Sequence, residues 1–217
     1  MFSYGLLAVI LALYLSEAGL SDAQIGLLLT LTLVGDTLIS LWITTRADRV
    51  GRKRMLLIGA ALMIFAGLLF AATRNFYLLL LAATVGVISP SGNEVGPFLA
   101  IEQSALAQSL PGNQRTQVFA WYQLAGSLAT ALGSLAGGGL SQLLQNAGTA
   151  ALSSYRIIIL LYAGLGFALV GLFNFVSAGV EVRQADREAE SANLLGLGRS
   201  SRTVFKLAGL FSIDAFA

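Results

Sequence analysis

Three carboxylates stand within long apolar stretches of this chain: Asp36, Glu94 and Asp214. A charged side chain at the centre of a membrane-spanning helix costs about 2.5–3.5 kcal/mol on insertion scales, so such residues are expected to face the interior of a helix bundle. An embedded carboxylate can exchange a proton or pair with a cationic solute. We therefore predict that these residues bind protons or solute, with a structural hydrogen-bonding role as the alternative for each.

The segment around Glu94 has the sequence SPSGNEVGP, at positions 89–97. Pro90 cannot donate a backbone hydrogen bond and clashes with the preceding turn, so it weakens the helix here. Loosened backbone at membrane depth must line protein or a water-filled cavity. We predict a cavity beside this segment, with Asn93 and Glu94 among the side chains that bind solute.

The composition places these residues in a membrane. The chain is 56% hydrophobic and 11% charged, with a mean hydropathy of +0.78, which a soluble domain of this size could not bury. About 20 apolar residues cross a bilayer as a helix. The apolar runs therefore predict an all-α polytopic membrane protein with six spans and the start of a seventh: 2–16, 22–43, 55–73, 76–99, 117–143, 155–178 and a last run from Val204.

Between the second and third spans lies the basic segment TTRADRVGRKR, at positions 44–54. Lys and Arg in short loops accumulate on the cytoplasmic side of membranes. This segment therefore predicts a cytoplasmic loop, and the segments 100–116 and 179–203 then lie on the same side. We predict a multi-pass plasma-membrane protein, and the absence of organelle-targeting features fits a bacterial inner membrane.

The charged and Gly/Ser-rich segment 179–203 divides the chain. We interpret it as a cytoplasmic linker between a six-helix bundle at 1–178 and the truncated start of a seventh helix at 204–217. The short first span and the interrupted last run predict a fragment whose second six-helix half is missing.

Several function classes are disfavoured by the residues themselves. The sequence has no Cys and no His, so it offers no thiol nucleophile, no His base and no common zinc site. It has no Walker-type loop, no cofactor ligand set and no basic surface for nucleic acid, since its net charge is only +2. We predict a protein that is not an enzyme, uses no metal or cofactor, and draws its energy from an ion gradient.

The 44–54 segment resembles the G-x-L-A-D-R-x-G-R-K/R signature of the major facilitator superfamily, with Thr44 and Arg46 where the family prefers Gly and Leu. The matching positions are Ala47, Asp48, Arg49, Gly51, Arg52 and Lys53. The resemblance implies the N-terminal six-helix half of a transporter that works with a matching second half in the lipid bilayer.

In that family the basic loop latches the two halves together on the cytoplasmic side, which the resemblance implies for Asp48 and Arg52. Gly51 lets the backbone turn sharply into the third span. Glu102 is expected to pair with a cation of the loop, Arg52 in particular, and Arg115 resembles the Arg that ends the family's next cytoplasmic turn.

The fifth span carries small residues at four-residue spacing, among them Gly133, Gly137 and Gly138. Such spacing lets two helices approach closely in lipid, and we interpret it as helix packing. These glycines also resemble, with Ser134 in place of Pro, the G-P-x-x-G-G motif of the family's antiporters, which favours efflux slightly.

The function implied is secondary active transport of a small solute by alternating access, with proton-coupled efflux as the favoured mechanism. By family analogy the first and fourth spans line the cavity, which adds Tyr14 to the binding candidates. Family members often carry an Arg in the fourth span for proton coupling, and its absence here moves that role to Glu94 and Asp36. A proton-coupled importer or symporter is the first alternative, and a non-transporting membrane scaffold or sensor is the second.

Overall fold

The computed structural model describes residues 1–86, 88, 96–175, 202, 206, 207, 209 and 210. Every regular element named in this part of the chain is an α-helix, which confirms the predicted all-α class. The helices are α1 (Phe2–Glu17), α2 (Asp22–Val50), α3 (Arg52–Ala72), α4 (Phe76–Val85), α5 (Gly96–Ser109), α6 (Arg115–Asn146) and α7 (Ala151–Asn174).

Three of these helices are long and apolar enough to cross a membrane: α2 over Asp22–Ala47, α3 and α7. The shorter α1 and α4 are also apolar. The predicted spans agree with α1, α2, α3, α6 and α7 to within seven residues at each end. The predicted fourth span, 76–99, corresponds to α4 and the beginning of α5.

Local side chains explain where the helices begin. Ser21 and Gln24 form a capping box at the start of α2, in which each side chain bonds the other residue's backbone N–H. The Asn75 side chain accepts from the N–H groups of Tyr77 and Leu78 at the start of α4. These caps satisfy backbone donors that have no partner inside the helix.

The predicted loop at 44–54 is wrong, because α2 continues to Val50 and α3 begins at Arg52. The polar residues at this end of α2 remain helical: the Thr45 hydroxyl donates to the Leu41 carbonyl, and the Arg46 guanidinium lies 4.9 Å from the centre of the Trp42 ring. The reversal is made at Gly51, whose φ of +114° is strained for residues with a Cβ.

The predicted loop at 100–116 is also too long, because α5 runs from Gly96 to Ser109. Phe98 and Ile101 are buried in the core, while Ser104 and Gln108 meet the Arg52 side chain. This helix therefore buries apolar side chains near its start and forms polar contacts near its end. It can extend beyond the apolar stretch because both parts contact neighbouring helices.

Close backbone contact joins α1 to α6. A Cβ added at Gly133 would collide with the Phe2 backbone, and one at Gly5 would collide with the Thr130 backbone. The Ser134 hydroxyl also donates to the Gly5 carbonyl at 3.1 Å. Small residues thus let these two helices touch along their backbones, as expected for helices that associate in lipid.

The start of α3 is fastened to two other helices. Arg52 is 2% exposed, and its guanidinium donates to Gln108 Oε1 at 2.9 Å and to Ser104 Oγ at 2.8 Å. Lys53 Nζ donates to the Asn174 carbonyl at the end of α7, at 2.7 Å. These bonds fix the positions of α5 and α7 at the Gly51 end of the bundle.

The α1–α6 contact predicts opposite effects for the same substitution at two glycines of α6. Gly133→Ala should lower the free energy of unfolding by about 1–3 kcal/mol, because the new methyl group overpacks against α1. Gly138→Ala is the matched control: a Cβ there meets nothing within 4 Å, so Ala should be neutral or stabilise by up to about 1 kcal/mol. Unfolding of the complete protein in detergent measures both, and equal effects would contradict the contact.

The Arg52 contacts predict that Arg52→Lys destabilises the protein although the charge is kept. One ammonium group cannot reproduce the two bonds of a guanidinium fork, and the loss of one charged hydrogen bond should lower the unfolding free energy by about 1.5–3 kcal/mol. Arg54→Lys, on an exposed neighbour, should change it by less than about 0.5 kcal/mol. The same titration compares them, and an unaffected Arg52→Lys variant would refute the role assigned to the fork.

Candidate functional site

A cavity of about 180 Å³ lies between α1, α5, α6 and α7. Its polar lining includes Tyr4, Glu102 and Tyr122, and its apolar lining includes Phe98 and Phe173. Pockets that bind small solutes combine apolar walls with a few convergent polar groups. This cavity has that composition.

Glu102 supplies the carboxylate of the cavity. It is half-buried, and its Oε2 accepts a hydrogen bond of 2.5 Å from the Tyr122 hydroxyl on α6. Hydrogen bonds to a carboxylate are short and about twice as strong as those between neutral groups. The pair therefore holds one carboxylate in a fixed position at the cavity wall.

The sequence predicts that Glu102 pairs with Arg52 at a cytoplasmic gate, and the hydrogen bonds of the two side chains in the described residues differ from that pairing. Among the described side chains the hydrogen-bond partner of Glu102 is Tyr122, whereas Arg52 binds Ser104 and Gln108. The side chains that meet Arg52 come from residues two and six positions beyond Glu102 on α5.

Asp36 is the central residue of the 29-residue α2 and is 5% exposed. Its charge acts on the hydroxyl groups of Tyr4 from α1 and Tyr162 from α7. The rings of these two tyrosines meet edge to face, with centroids 6.0 Å apart. α1 and α7 thus bring two phenols into contact, within reach of the charge of Asp36 on α2.

Two hydroxyl groups near this point are buried without a hydrogen-bond partner in the described part of the chain. They belong to Tyr4, which is 1% exposed, and to Ser40, one turn along α2 from Asp36. A buried polar group that bonds nothing costs about 1–3 kcal/mol. Such groups are explained by a role in binding water or solute.

Tyr14 lies at the opposite end of the bundle from Arg52. It is 0% exposed, and its hydroxyl donates to the carbonyls of Phe70 and Thr73 at the end of α3. Both partners are carbonyls that a helix terminus leaves unpaired. This placement gives Tyr14 a helix-capping role and does not support the predicted contact with solute.

The remaining candidates fall into three groups. Gly137 packs against the Leu6 backbone, whereas Gly138 faces open space; Arg115 is exposed at the start of α6 and its Nε donates to the Leu110 carbonyl at 3.3 Å. Asn93, Glu94 and Asp214 lie outside the described residues, as do the side chains of Asp48 and Arg49. Where side chains are described, no group of three or more His, Cys, Asp or Glu could hold a metal ion.

Sequence reasoning missed Tyr4 and Tyr122. Each stands in a stretch rich in apolar and small residues, FSYGLL and AWYQLAG, where a tyrosine is typical of ordinary core packing. Their chemistry depends on carboxylates from other helices. The sequence contains one weak signal of this role: a tyrosine in an apolar stretch is expected to be buried, and a buried Tyr hydroxyl usually has a hydrogen-bond partner.

The sequence profile described as Major Facilitator Superfamily matches residues 1–216. An uncharacterized membrane protein of Saccharomyces cerevisiae is 40% identical over 184 residues, which cover 84% of this chain and 41% of that protein. The quinolone resistance protein NorA of Staphylococcus aureus is 28% identical over 117 residues, which cover 54% of this chain and 29% of NorA. The matched regions thus span less than half the length of these relatives.

The family is one of membrane transporters, in agreement with the apolar helices and the cavity inside the bundle. Because its profile matches almost every residue, and because the helical bundle agrees with it, the chain belongs to the Major Facilitator Superfamily.

Proposed function

We propose that this chain forms part of a secondary active transporter that exports a small cationic or amphipathic solute in exchange for protons. The observation that carries the proposal is the Glu102–Tyr122 pair in the wall of the cavity. A carboxylate held at such a wall binds either a proton or a cation, and competition between the two couples their movements. The complete protein would expose this site to each side of the membrane in turn.

The aromatic side chains around Glu102 favour a solute with apolar surface and positive charge. Tyr4, Phe98, Tyr122 and Phe173 line the same cavity, and aromatic faces attract cations. The likeness to a protein named for quinolone resistance supports export of such molecules. We propose the plasma membrane as the location and retain the bacterial inner membrane as a hypothesis, since the relatives come from a yeast and a bacterium.

The other predicted participants keep a place in this proposal. Glu94 and Asn93 belong to a segment that leads directly into α5, and Asp214 lies in the last apolar run. We propose that Glu94 or Asp36 holds the coupling proton while Glu102 meets the solute. The segment around Asp48 and Arg49 remains the proposed latch to the second half of the transporter.

Two alternatives use the same bundle. A proton-coupled importer or symporter needs the same carboxylates and differs in the direction of solute movement. In a scaffold or sensor that does not transport, Glu102 serves only to hold α5 against α6, and the segment 179–203 would be the interacting element. The hydroxyl left without a partner on Tyr4 favours a binding function over the scaffold.

Transport is best tested with the complete protein in inverted membrane vesicles that have an acidic interior. The probe is tetraphenylphosphonium, a permanently charged lipophilic cation, with the membrane potential clamped at zero. An exporter that exchanges solute for protons should accumulate the probe, whereas an importer coupled to protons should not. Absence of any response to the pH gradient in either vesicle orientation would remove the proton-coupling proposal.

Glu102→Gln should reduce this uptake about tenfold or more, because a neutral amide can bind neither the proton nor the cation, and loss of one charged interaction of 1.5 kcal/mol corresponds to about that factor. Glu17→Gln removes an exposed carboxylate at the end of α1 and should leave uptake unchanged. Tyr122→Phe should cause an intermediate loss. Full activity of Glu102→Gln would exclude Glu102 from the transport site and favour the scaffold.

A further inference from the structure

Tyr4 lies near two carboxylates of the bundle, Asp36 and Glu102. One side of its environment is the cavity that it shares with Glu102, on α5. The other side is the centre of the bundle, where Tyr162 meets its ring and the charge of Asp36 reaches its hydroxyl. Tyr4 therefore belongs both to the lining of the cavity and to the surroundings of Asp36.

The Tyr4 hydroxyl is also available to form a hydrogen bond with a water or a solute. It is beside the Tyr162 hydroxyl, yet no group of the described residues meets it with hydrogen-bond geometry. Ser40 lies four residues from Asp36 on the same face of α2. Its hydroxyl is also buried without a hydrogen-bond partner in the described residues. Buried waters typically occupy sites where such groups converge.

Asp36 needs a route for its proton. It is 5% exposed at the middle of α2, and protons cannot cross hydrocarbon without hydrogen-bonding groups. Tyr4 lines the cavity that holds Glu102. A hydroxyl group that can rotate between two acceptors is suited to connect them, since it is both donor and acceptor.

We propose that Tyr4 relays protons between Asp36 and the Glu102 cavity, so that solute binding at Glu102 controls the protonation of Asp36. This inference rests on the proposed function, in which Glu102 meets the solute. It gives Asp36 a defined partner, and it assigns to Tyr4 a role that neither its sequence neighbourhood nor its burial alone would suggest.

The transfer conserves every proton. Protonated Asp36 donates to the Tyr4 oxygen, directly or through a water, while the Tyr4 hydroxyl hydrogen passes to Glu102, either directly or through a water that gives one of its own protons to Glu102. Asp36 ends as a carboxylate, Glu102 ends protonated, and Tyr4 remains a neutral phenol. Rotation of the hydroxyl group then restores the starting arrangement.

Other titratable or charged groups face the two carboxylates. Asp36 is faced by Tyr4 from α1 and Tyr162 from α7, and Glu102 by Tyr122 from α6, by Tyr4, and by the amino group of Met1. Arg52, from α3, binds α5 further along the helix. Among these groups, Tyr4 faces both carboxylates.

The test uses the complete protein in lipid vesicles and Tyr4→Phe, which removes the hydroxyl and keeps the ring. Time-resolved infrared spectroscopy after a pH jump follows the carboxylic acid C=O band of Asp36, assigned as the band that Asp36→Asn removes. We expect Tyr4→Phe to lower two rates about tenfold or more: the rate at which this band changes after the pH jump, and the rate of pH-driven uptake of tetraphenylphosphonium. A tenfold decrease corresponds to a barrier increase of about 1.4 kcal/mol. Equilibrium affinity for the probe should stay within about twofold of wild type.

Tyr155→Phe is the matched control, because Tyr155 is buried in the other half of the core; it should change none of these quantities. Glu102→Gln is a second variant that leaves Tyr4 intact, and it should slow the Asp36 band because it removes the proton acceptor. The relay is overturned if the Asp36 band of Tyr4→Phe changes as fast as that of the wild-type protein. It is also overturned if the main defect of Tyr4→Phe is a weaker affinity for the probe.

Failure of the proposed function gives a different result. In that case Glu102→Gln has normal probe uptake, or the wild-type protein does not respond to the pH gradient, while the infrared experiment still measures how fast Asp36 exchanges its proton. If the wild-type protein shows no band that Asp36→Asn removes, Asp36 does not titrate and the relay is overturned directly.

Discussion

Lipid offers no hydrogen-bond partners, so each polar group in this bundle must find its partner within the protein. The threonines of the helices do so locally: six hydroxyls donate to the carbonyl four residues earlier, those of Thr30, Thr32, Thr37, Thr45, Thr84 and Thr130. Tyr14 closes the end of α3, and Ser134 bonds the Gly5 backbone. Buried polar groups without a partner in the described residues are therefore informative. The hydroxyls of Tyr4 and Ser40 are two such groups, and both lie near Asp36.

The same constraint shapes the packing. Between two helices in lipid the hydrophobic effect contributes little, so association depends on close van der Waals contact and on a few polar bonds. Here α1 touches α6 through backbone atoms at Gly5 and Gly133, and α2 touches α4 at Gly35. Arg52 ties α3 to α5 at one end, and Tyr14 ties α1 to α3 at the other. Helices joined in this way are expected to move as one body, which an alternating-access transporter requires of each half.

The sequence predicted the helices and their order well, because a run of about 20 apolar residues is typical of a membrane-spanning helix. It predicted their ends less well. Arg46 and Gln108 are polar but remain helical, since each finds a side-chain partner, Trp42 and Arg52 respectively. The site was harder still: spacing cannot distinguish Gly133, which meets α1, from Gly138, which meets nothing. Tyr4 and Tyr122 become functional candidates only when separate helices bring carboxylates to them.

The placement of Asp36 and Glu102 bears on how coupling would work. Competition between proton and solute at Glu102 does not by itself require a second carboxylate, so the relay gives Asp36 the separate task of holding the proton that the solute displaces. Asp36 lies in a nearly closed environment, whereas Glu102 lies at a cavity wall and accepts a hydrogen bond from the Tyr122 hydroxyl. A charge is hard to maintain on a carboxylate in a closed environment. A proton therefore has reason to move towards Asp36 whenever a cation occupies Glu102, and this difference between two sites gives the proposed exchange its direction.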